Sequence, residues 1–421
     1  MFVMVLNSNN HGLLIVKFGG SSLADGIGIS RSANLIAKEY KKGTKIVVIV
    51  SAMGKATDNL ISTAKSACED RIQSKHLDDI MAMGERTSAR IFAAALRSRG
   101  LKVHLFDPSE KEWPIITDNK FTNAKPILPL CKKIIKSNLG ALLEEGIIPV
   151  VPGFIGKTEN GEITTMGRGG SDITALLIAD CLKADQVIFV TDVDGIMTAD
   201  PKIIKNPKKL EHVDIEVLVG LADTGAKFIH KKALKYKNAR IDIKVIKNTV
   251  DDLRAGGTII AGGLPSNMVI EVYPKSIMAV TITGKDISKS PEIIRSFLEI
   301  VEREEELLGM SMNHNSTILY LPLTSKAGRL LEELHSIVVS QKDVIAMAVK
   351  RNLALLKIKG VGLEETPGVI SKISETLRRQ GINIYGVFTI TSSVSVFVDA
   401  KDKNKAAELV KESLDAESRI I

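Results

Sequence analysis

The chain has 421 residues, 44% of them hydrophobic and 25% charged, enough for two or three soluble domains at roughly 150 residues each. Net charge is +8, from 57 Lys+Arg against 49 Asp+Glu, but the charges are scattered and aromatics make up only 4%. That argues against a stacking platform for nucleic acid and leaves a solvated basic surface or an anionic small substrate.

No apolar run approaches the roughly 20 residues of a membrane helix, and MFVMVLNSNNHG lacks the pattern of a signal peptide. Cys68, Cys131 and Cys181 form no CxxC pair, so neither a zinc site nor a disulfide framework is expected, and a reducing cytoplasm suits them.

LLIVKF (13–18) predicts a buried strand and SRSANLIAKEYKK (30–42) an amphipathic helix. KIVVIVSA (45–52) predicts a second strand, and the stretch 76–100 a long helix ending at Gly100. IIPVVPGF, VIFVTDV and IDIKVI add strands. Continuous Val/Ile runs between helices indicate an α/β fold, a mostly parallel sheet sandwiched by helices. Ligands of such sheets bind beyond the carboxyl ends of the strands, where KFGGSS and TDVDG fall.

The Gly/Pro/Asn cluster RAGGTIIAGGLPSN (254–267) marks a boundary. Beyond it a strand, helix, strands, helix pattern occurs twice, which predicts two β-α-β-β-α-β modules. The expected domains are 1–265, 266–345 and 346–421.

Three strand-end loops carry candidate chemistry. In KFGGSS, Gly19 and Gly20 allow close approach of a ligand to the backbone, Ser21 and Ser22 add hydroxyls, and Lys17 adds an ammonium. This order is the reverse of a Walker A loop, and the decoy GFIGKT (153–158) has Val151 where Walker A needs its first Gly. A plain tight turn competes with the phosphate cradle here. In TTMGRGGSDITALLIAD (164–180) a glycine turn enters an apolar helix with Ser171 or Asp172 at its cap. Arg168 in that turn can grip a carboxylate, and nothing structural asks for it there. Asp172 reads equally as a simple N-cap. In VTDVDGIMTADPK (190–202) the acidic side chains suit a ribose, a metal or a lysine, with turn formation a serious competitor for Asp194 and Gly195.

Taken together, these loops resemble aspartate kinase, within the amino-acid kinase superfamily. The resemblance rests on KFGGSS, VSAMG (50–54), MGER (83–86), GRGGSDITA (168–175), TDVDGIMTADP (191–201) and GAKFIH (225–230), in the family's order. The paired C-terminal modules look like ACT domains, with GVGLEETPGV (360–369) the clearest signature. The resemblance implies an amino-acid kinase fold followed by two ACT modules. The implied reaction is ATP-dependent phosphorylation of the side-chain carboxylate of L-aspartate to 4-phospho-L-aspartate, the first step of lysine, threonine and methionine biosynthesis. Lys17 and Lys227 would contact the phosphates, with Gly19, Gly20 and Ser21 around them and Asp172 organising the charges. Thr191, Asp192, Met197 and Lys202 would line the nucleotide pocket. Ser51, Glu85, Arg168, Gly169, Gly170 and Ser171 would hold aspartate, Glu85 through its α-ammonium. Met197 and Lys202 stand where Tyr and Arg are common, and Lys231 follows His230 where Pro is common.

A carboxylate nucleophile whose ordinary pKa is about 3.9 is already ionised at neutral pH, so no general base is required. His230 accordingly reads as structural. Mg²⁺ is expected on the ATP phosphates, without a dedicated metal cage. The ACT modules imply a homodimer or larger assembly and a small amino-acid effector, with candidate contacts at Asn313, Asn315, Ser316 and Gly368. Threonine fits these neutral groups better than lysine does, and a pair of modules that binds no effector and only dimerises the chain is the close alternative. Alternatives are a kinase for another amino-acid carboxylate (glutamate, acetylglutamate or a carrier-bound aminoadipate) and a non-catalytic amino-acid sensor.

Overall fold

The computed structural model describes residues 12–200, 203–222, 229–263, 268–360, 363, 367–390 and 393–418. The chain divides into two compact units, Met1–Leu264 and Pro265–Ile421. Among the described residues no helix is long and apolar enough to cross a membrane.

The first unit begins with β1 (Leu13–Phe18), α1 (Gly26–Lys41) and β2 (Lys45–Val50), then α2 (Ala56–Ala67) and the long α3 (Ser74–Arg97). After β3 (Val103–Leu105), α4 (Leu128–Ile134) runs through a π-helical turn into α5 (Gly140–Glu144). β4 (Ile148–Pro152) is followed by the small hairpin β5 (Ile155–Lys157) and β6 (Ile163–Thr165), then α6 (Gly170–Leu182) and β7 (Gln186–Thr191). A second hairpin, β8 (Ile196–Met197) and β9 (Lys209–Leu210), leads to β10 (His212–Asp214), α7 (Ile215–Ala222), α8 (Lys231–Leu234), β11 (Asp242–Lys247) and β12 (Thr258–Ala261).

Eight strands form one sheet in the order β10-β12-β11-β7-β1-β2-β4-β3. All its pairings are parallel except β11 with β12. β1 is the switch point: the chain builds outward to β2, β4 and β3 on one side, then returns to place β7 on the other. The alternation of a strand decides which side chain faces which layer. In β1, Leu14, Val16 and Phe18 enter the core shared with α1 and α3, and Ile15 enters the core that holds α6. Lys17 follows Ile15 by two residues and so emerges on the α6 side. α6 is buried nearly all round, which matches its mostly apolar sequence with apolar residues on every side.

The second unit holds β13 (Val269–Val272), β14 (Ile277–Gly284), α9 (Pro291–Glu304), β15 (Gly309–Met312), β16 (Ser316–Pro322), α10 (Ala327–Ser340) and β17 (Val344–Lys359). It closes with α11 (Val369–Arg379), β18 (Gly386–Ile390), β19 (Ser393–Asp399) and α12 (Lys403–Ser418). The repeated pattern is present, but the strands merge into one seven-stranded sheet in the order β15-β16-β14-β17-β19-β18, with β13 also on β17. β17 spans 16 residues and passes through the expected boundary at 345/346. Its first half pairs with β14 and its second half with β13 and β19. Helices α9 and α10 cover one core and α11 and α12 another. A smaller core of Ile277, Ala279, Tyr320, Leu353, Leu355 and Phe397 draws on both halves.

Candidate active site

Lys17 is the penultimate residue of β1, its side chain 15% exposed, and its Nζ lies 2.7 Å from Oδ1 of Asp172. The ammonium also stands 5.5 Å from the centre of the Phe189 ring on neighbouring β7. Asp172 is in the first turn of α6 and accepts the backbone N–H of His230 at 3.3 Å through Oδ2. The carboxylate therefore joins the end of β1, the start of α6 and the entry to α8.

The helix cap differs from the sequence expectation. Neither Ser171 nor Asp172 caps α6; Gly169 does, at φ 77, without a side-chain cap bond. A Cβ on Gly169 would fall 2.4 Å from Cβ of His230, so this glycine serves both its backbone angle and a close approach. Asp172 is thereby freed from capping and reaches Lys17. Gly170 and Ser171 are buried, Ser171 against Gly153 at the end of β4. Arg168 is exposed on the loop just before the helix.

The KFGGSS loop forms a short 3-10 turn over Gly20–Leu23. The N–H of Gly19 donates to Val190 at 3.1 Å, so this amide is used within the fold rather than aimed at a ligand. Gly20 is required by packing, since a Cβ there would lie 2.9 Å from the Ala52 carbonyl oxygen and 3.2 Å from that of Gly54. Ser21 is exposed, while Ser22 is buried and donates to Val190. Ser51 extends the β1–β2 ladder, its N–H donating to Phe18 at 3.1 Å.

Glu85 on α3 is buried, and its Oε2 has no hydrogen-bond partner among the described residues. Burial pushes its carboxyl up to about 7, with the Ala52 amide and the Thr57 hydroxyl pulling the other way. Gly84, just before it, lets α3 press on the 51–57 segment: a Cβ there would meet Ala52 and Thr57 at 3.0 Å. Arg86 and Arg90 both grip Asp107 beyond β3, Arg86 in a two-pronged contact. Burial opposes ionisation of the Asp107 carboxyl, but hydrogen bonds from Ser109 and the Arg86 guanidinium hold it far below the usual range.

On the nucleotide side, Thr191 ends β7 and exposed Asp192 follows it, with the Thr191 hydroxyl donating to Asp192 at 3.0 Å. Met197 pairs with Lys209 in the β8–β9 hairpin. Asp194 meets Lys209 at 3.2 Å, and Gly195 takes φ 82 against Thr258, which favours the turn-forming reading of that pair. Lys202 and Lys227 lie outside the described residues. Among the described residues no three His, Cys, Asp or Glu side chains gather into a metal cage.

His230 is structural, as expected: its ring Nδ1 accepts the Lys232 amide at 3.4 Å. In the second unit, Asn313 Oδ1 accepts from the amides of Asn315 and Ser316 and from the Ser316 hydroxyl, closing the β15–β16 turn. Asn315 Oδ1 accepts the Asp286 amide. Gly368 caps α11 at φ 86, and among the described residues nothing lies within 4 Å of where a Cβ would stand.

Sequence reasoning passed over Asp78, Asp107 and Phe189. The signal for Asp78 was available, since it lies seven residues before Glu85 and so on the same side of one helix.

The amino acid kinase family model matches residues 12–247, and an ACT domain model matches 348–412. Aspartokinase 2 of Bacillus subtilis (strain 168) is 32% identical over 417 residues, covering 96% of this chain and 98% of the relative. The aspartokinase of Geobacillus stearothermophilus is 30% identical over 411 residues, covering 96% and 97%. The aspartate kinase structure from Synechocystis has a TM-score of 0.81 at 24% identity, covering 96% of this chain and 69% of that one. Escherichia coli aspartokinase III in complex with aspartate and ADP (R-state) has a TM-score of 0.54 at 23% identity, covering 96% and 99%. At these identities the two structures speak to the fold.

Proposed function

This chain belongs to the amino acid kinase family as an aspartokinase, and from that premise we propose how its residues transfer the γ-phosphoryl group of ATP to the side-chain carboxylate of L-aspartate. The observation that carries the proposal is the Lys17–Asp172 pair at 2.7 Å, at the carboxyl end of the switch-point strand.

A carboxylate oxygen of aspartate attacks the γ-phosphorus in line. The new O–P bond forms as the bond to the bridging oxygen breaks, and ADP leaves with the electron pair. The nucleophile needs no base at neutral pH. Catalysis therefore consists of holding two anions together and neutralising charge in the transition state. Lys17 supplies that positive charge, and Asp172 keeps its ammonium aimed and desolvated. Lys227 is proposed as the second phosphate lysine.

Glu85 binds the α-ammonium of aspartate, and Arg168 binds a carboxylate of the substrate, with Ser51 and the 169–171 turn around it. A buried, unpartnered oxygen on Glu85 supports this assignment, because such an atom is costly unless a ligand satisfies it. ATP lies over Gly19, Gly20 and Ser21, with Thr191, Asp192, Met197 and Lys202 along the nucleoside. Mg²⁺ arrives as part of the MgATP substrate, its coordination drawn from phosphate oxygens and water.

The test is a hydroxylamine trap for acyl phosphate with MgATP and a panel of amino acids. Hydroxamate is expected with aspartate and little with glutamate, whose carboxylate would overshoot the in-line position by a methylene. Lys17→Ala is expected to lower kcat about 100-fold or more while changing the KM for aspartate little. Equal hydroxamate from glutamate would overturn the substrate, and normal turnover by Lys17→Ala would overturn the role of that lysine.

We also propose that the second unit takes a small neutral amino acid as effector, threonine before lysine. The Asp286 carboxylate beside the β15–β16 turn is engaged by His314 at 2.5 Å and Lys289 at 3.3 Å, which leaves it a poor partner for a lysine ammonium. Initial rates at subsaturating aspartate with millimolar threonine or lysine test this, and inhibition by lysine alone would reverse it.

A further inference from the structure

We infer that Asp78 is a positioning residue for the amino-acid substrate, a buried carboxylate that sets the distance between Glu85 on α3 and Arg168 on the β6–α6 loop. The inference rests on the reading that those two side chains hold the two ends of aspartate.

Asp78 is 0% exposed. Its Oδ2 accepts the amides of Thr122 and Thr165, each at 2.8 Å, and its Oδ1 accepts the Thr165 hydroxyl at 2.7 Å. All three donors are uncharged, yet they hold a carboxylate whose burial pushes its pKa up. A group so costly to bury has a use beyond filling space.

Its position supplies that use. Asp78 precedes Glu85 by seven residues, two helical turns or about 10 Å along α3. Thr165 precedes Arg168 by three residues. The chain between them has little slack: Met166 is buried, its N–H donates to Phe154 at 3.0 Å, and its carbonyl accepts the Lys232 ammonium at 2.8 Å. One carboxylate thus ties the helix bearing the anionic end of the clamp to the end of β6, from which the loop bearing its cationic end departs. Apolar packing alone is not directional and would let α3 settle over a range of positions. Three short hydrogen bonds to a single carboxylate select one.

A purely structural Asp78 would affect stability and all kinetic constants alike. A positioning Asp78 acts selectively on aspartate. The variants Asp78→Ala, Asp78→Asn and Thr165→Val would be compared in the full-length enzyme for kcat, for KM of aspartate and MgATP, and for thermal unfolding. Asp78→Ala is expected to raise the KM for aspartate about tenfold or more with the KM for MgATP within about twofold. Asp78→Asn should stay within about threefold of wild type. Its amide oxygen can accept both backbone N–H groups, and its nitrogen can donate to the Thr165 hydroxyl. Thr165→Val, which removes one of the three bonds, should give a smaller rise confined to aspartate. It keeps the test alive if Asp78→Ala fails to fold.

Equal changes in both KM values, or an aspartate KM unmoved in Asp78→Ala and Thr165→Val, would overturn the inference. So would an Asn variant as impaired as the Ala variant. Glu85→Gln and Arg168→Ala separate the two levels of the argument. If they leave the aspartate KM unchanged, the clamp itself is wrong. If they raise it and the Asp78 and Thr165 variants do not, only the positioning role is wrong.

Discussion

Glu85 lies where folding and binding make opposite demands. A carboxyl with an ordinary value of 4.5 is pushed up to about 7 by burial. Between those two pH values the folded protein keeps a proton that the unfolded chain has released. Stability therefore falls as pH rises through that window, and the full cost is reached above about pH 7. The ceiling on that cost is roughly 3 kcal/mol. Glu85→Gln removes the ionisation and keeps the shape. We expect the variant to unfold at a higher temperature than wild type at pH 8 and to differ little from it at pH 5. It should also bind aspartate poorly at both, since the amide offers the α-ammonium only a neutral acceptor in place of a charge. Wild-type kcat/KM for aspartate should rise with pH until above about 7, and that limb should vanish in Glu85→Gln. Thermal unfolding at the two pH values is the direct measurement. An equal offset at both would mean that Glu85 keeps its ordinary carboxyl in the fold.

Secondary elements were legible where one local rule governs them. The aliphatic runs at 13–18, 45–50 and 186–191 are strands of the parallel sheet, because unbroken Val/Ile segments suit strands covered on both faces. The same alternation explains why Lys17 stands at the end of a buried strand: it shares the face of Ile15 and meets the first turn of α6. What the local pattern could not supply was set by distant partners. The cap of α6 falls on Gly169 because His230 packs against it. Gly20 answers to the carbonyls of Ala52 and Gly54 as much as to any ligand. The grip of Arg86 and Arg90 on Asp107 depends on where β3 ends relative to α3, which no periodicity encodes. The family motifs supply the proposed site residues, while the buried carboxylates Asp78 and Asp107 lie between those motifs.

Across the whole chain, the main difference between sequence and structure is how the C-terminal repeat is joined. The repeat suggested two modules, each with its own strands, meeting at 345/346. In the fold β17 runs through that position and serves both halves. It turns from one to the other at Asn352, which takes φ 60 where the register with β14 shifts. An Asn tolerates this backbone better than most residues, but a single Asn in a strand pattern is a weak signal. β13, which falls within the expected first module in sequence, pairs instead with the second half of β17. This gives a prediction about autonomous folding. A fragment spanning 265–421 should unfold cooperatively as a unit. A fragment spanning 346–421 lacks β13, and Leu353, Leu355 and Phe397 lose the shared core formed by Ile277, Ala279 and Tyr320. It is left with a strand edge on β17 where β13 and β14 belong, the kind of edge that invites aggregation. Circular dichroism and urea denaturation should show a sigmoidal transition for the longer fragment and none for the shorter. A monomeric 346–421 fragment with a cooperative transition, and an m-value in proportion to its length, would mean that the second half of the repeat is self-sufficient and that the shared strand is a junction rather than a common core.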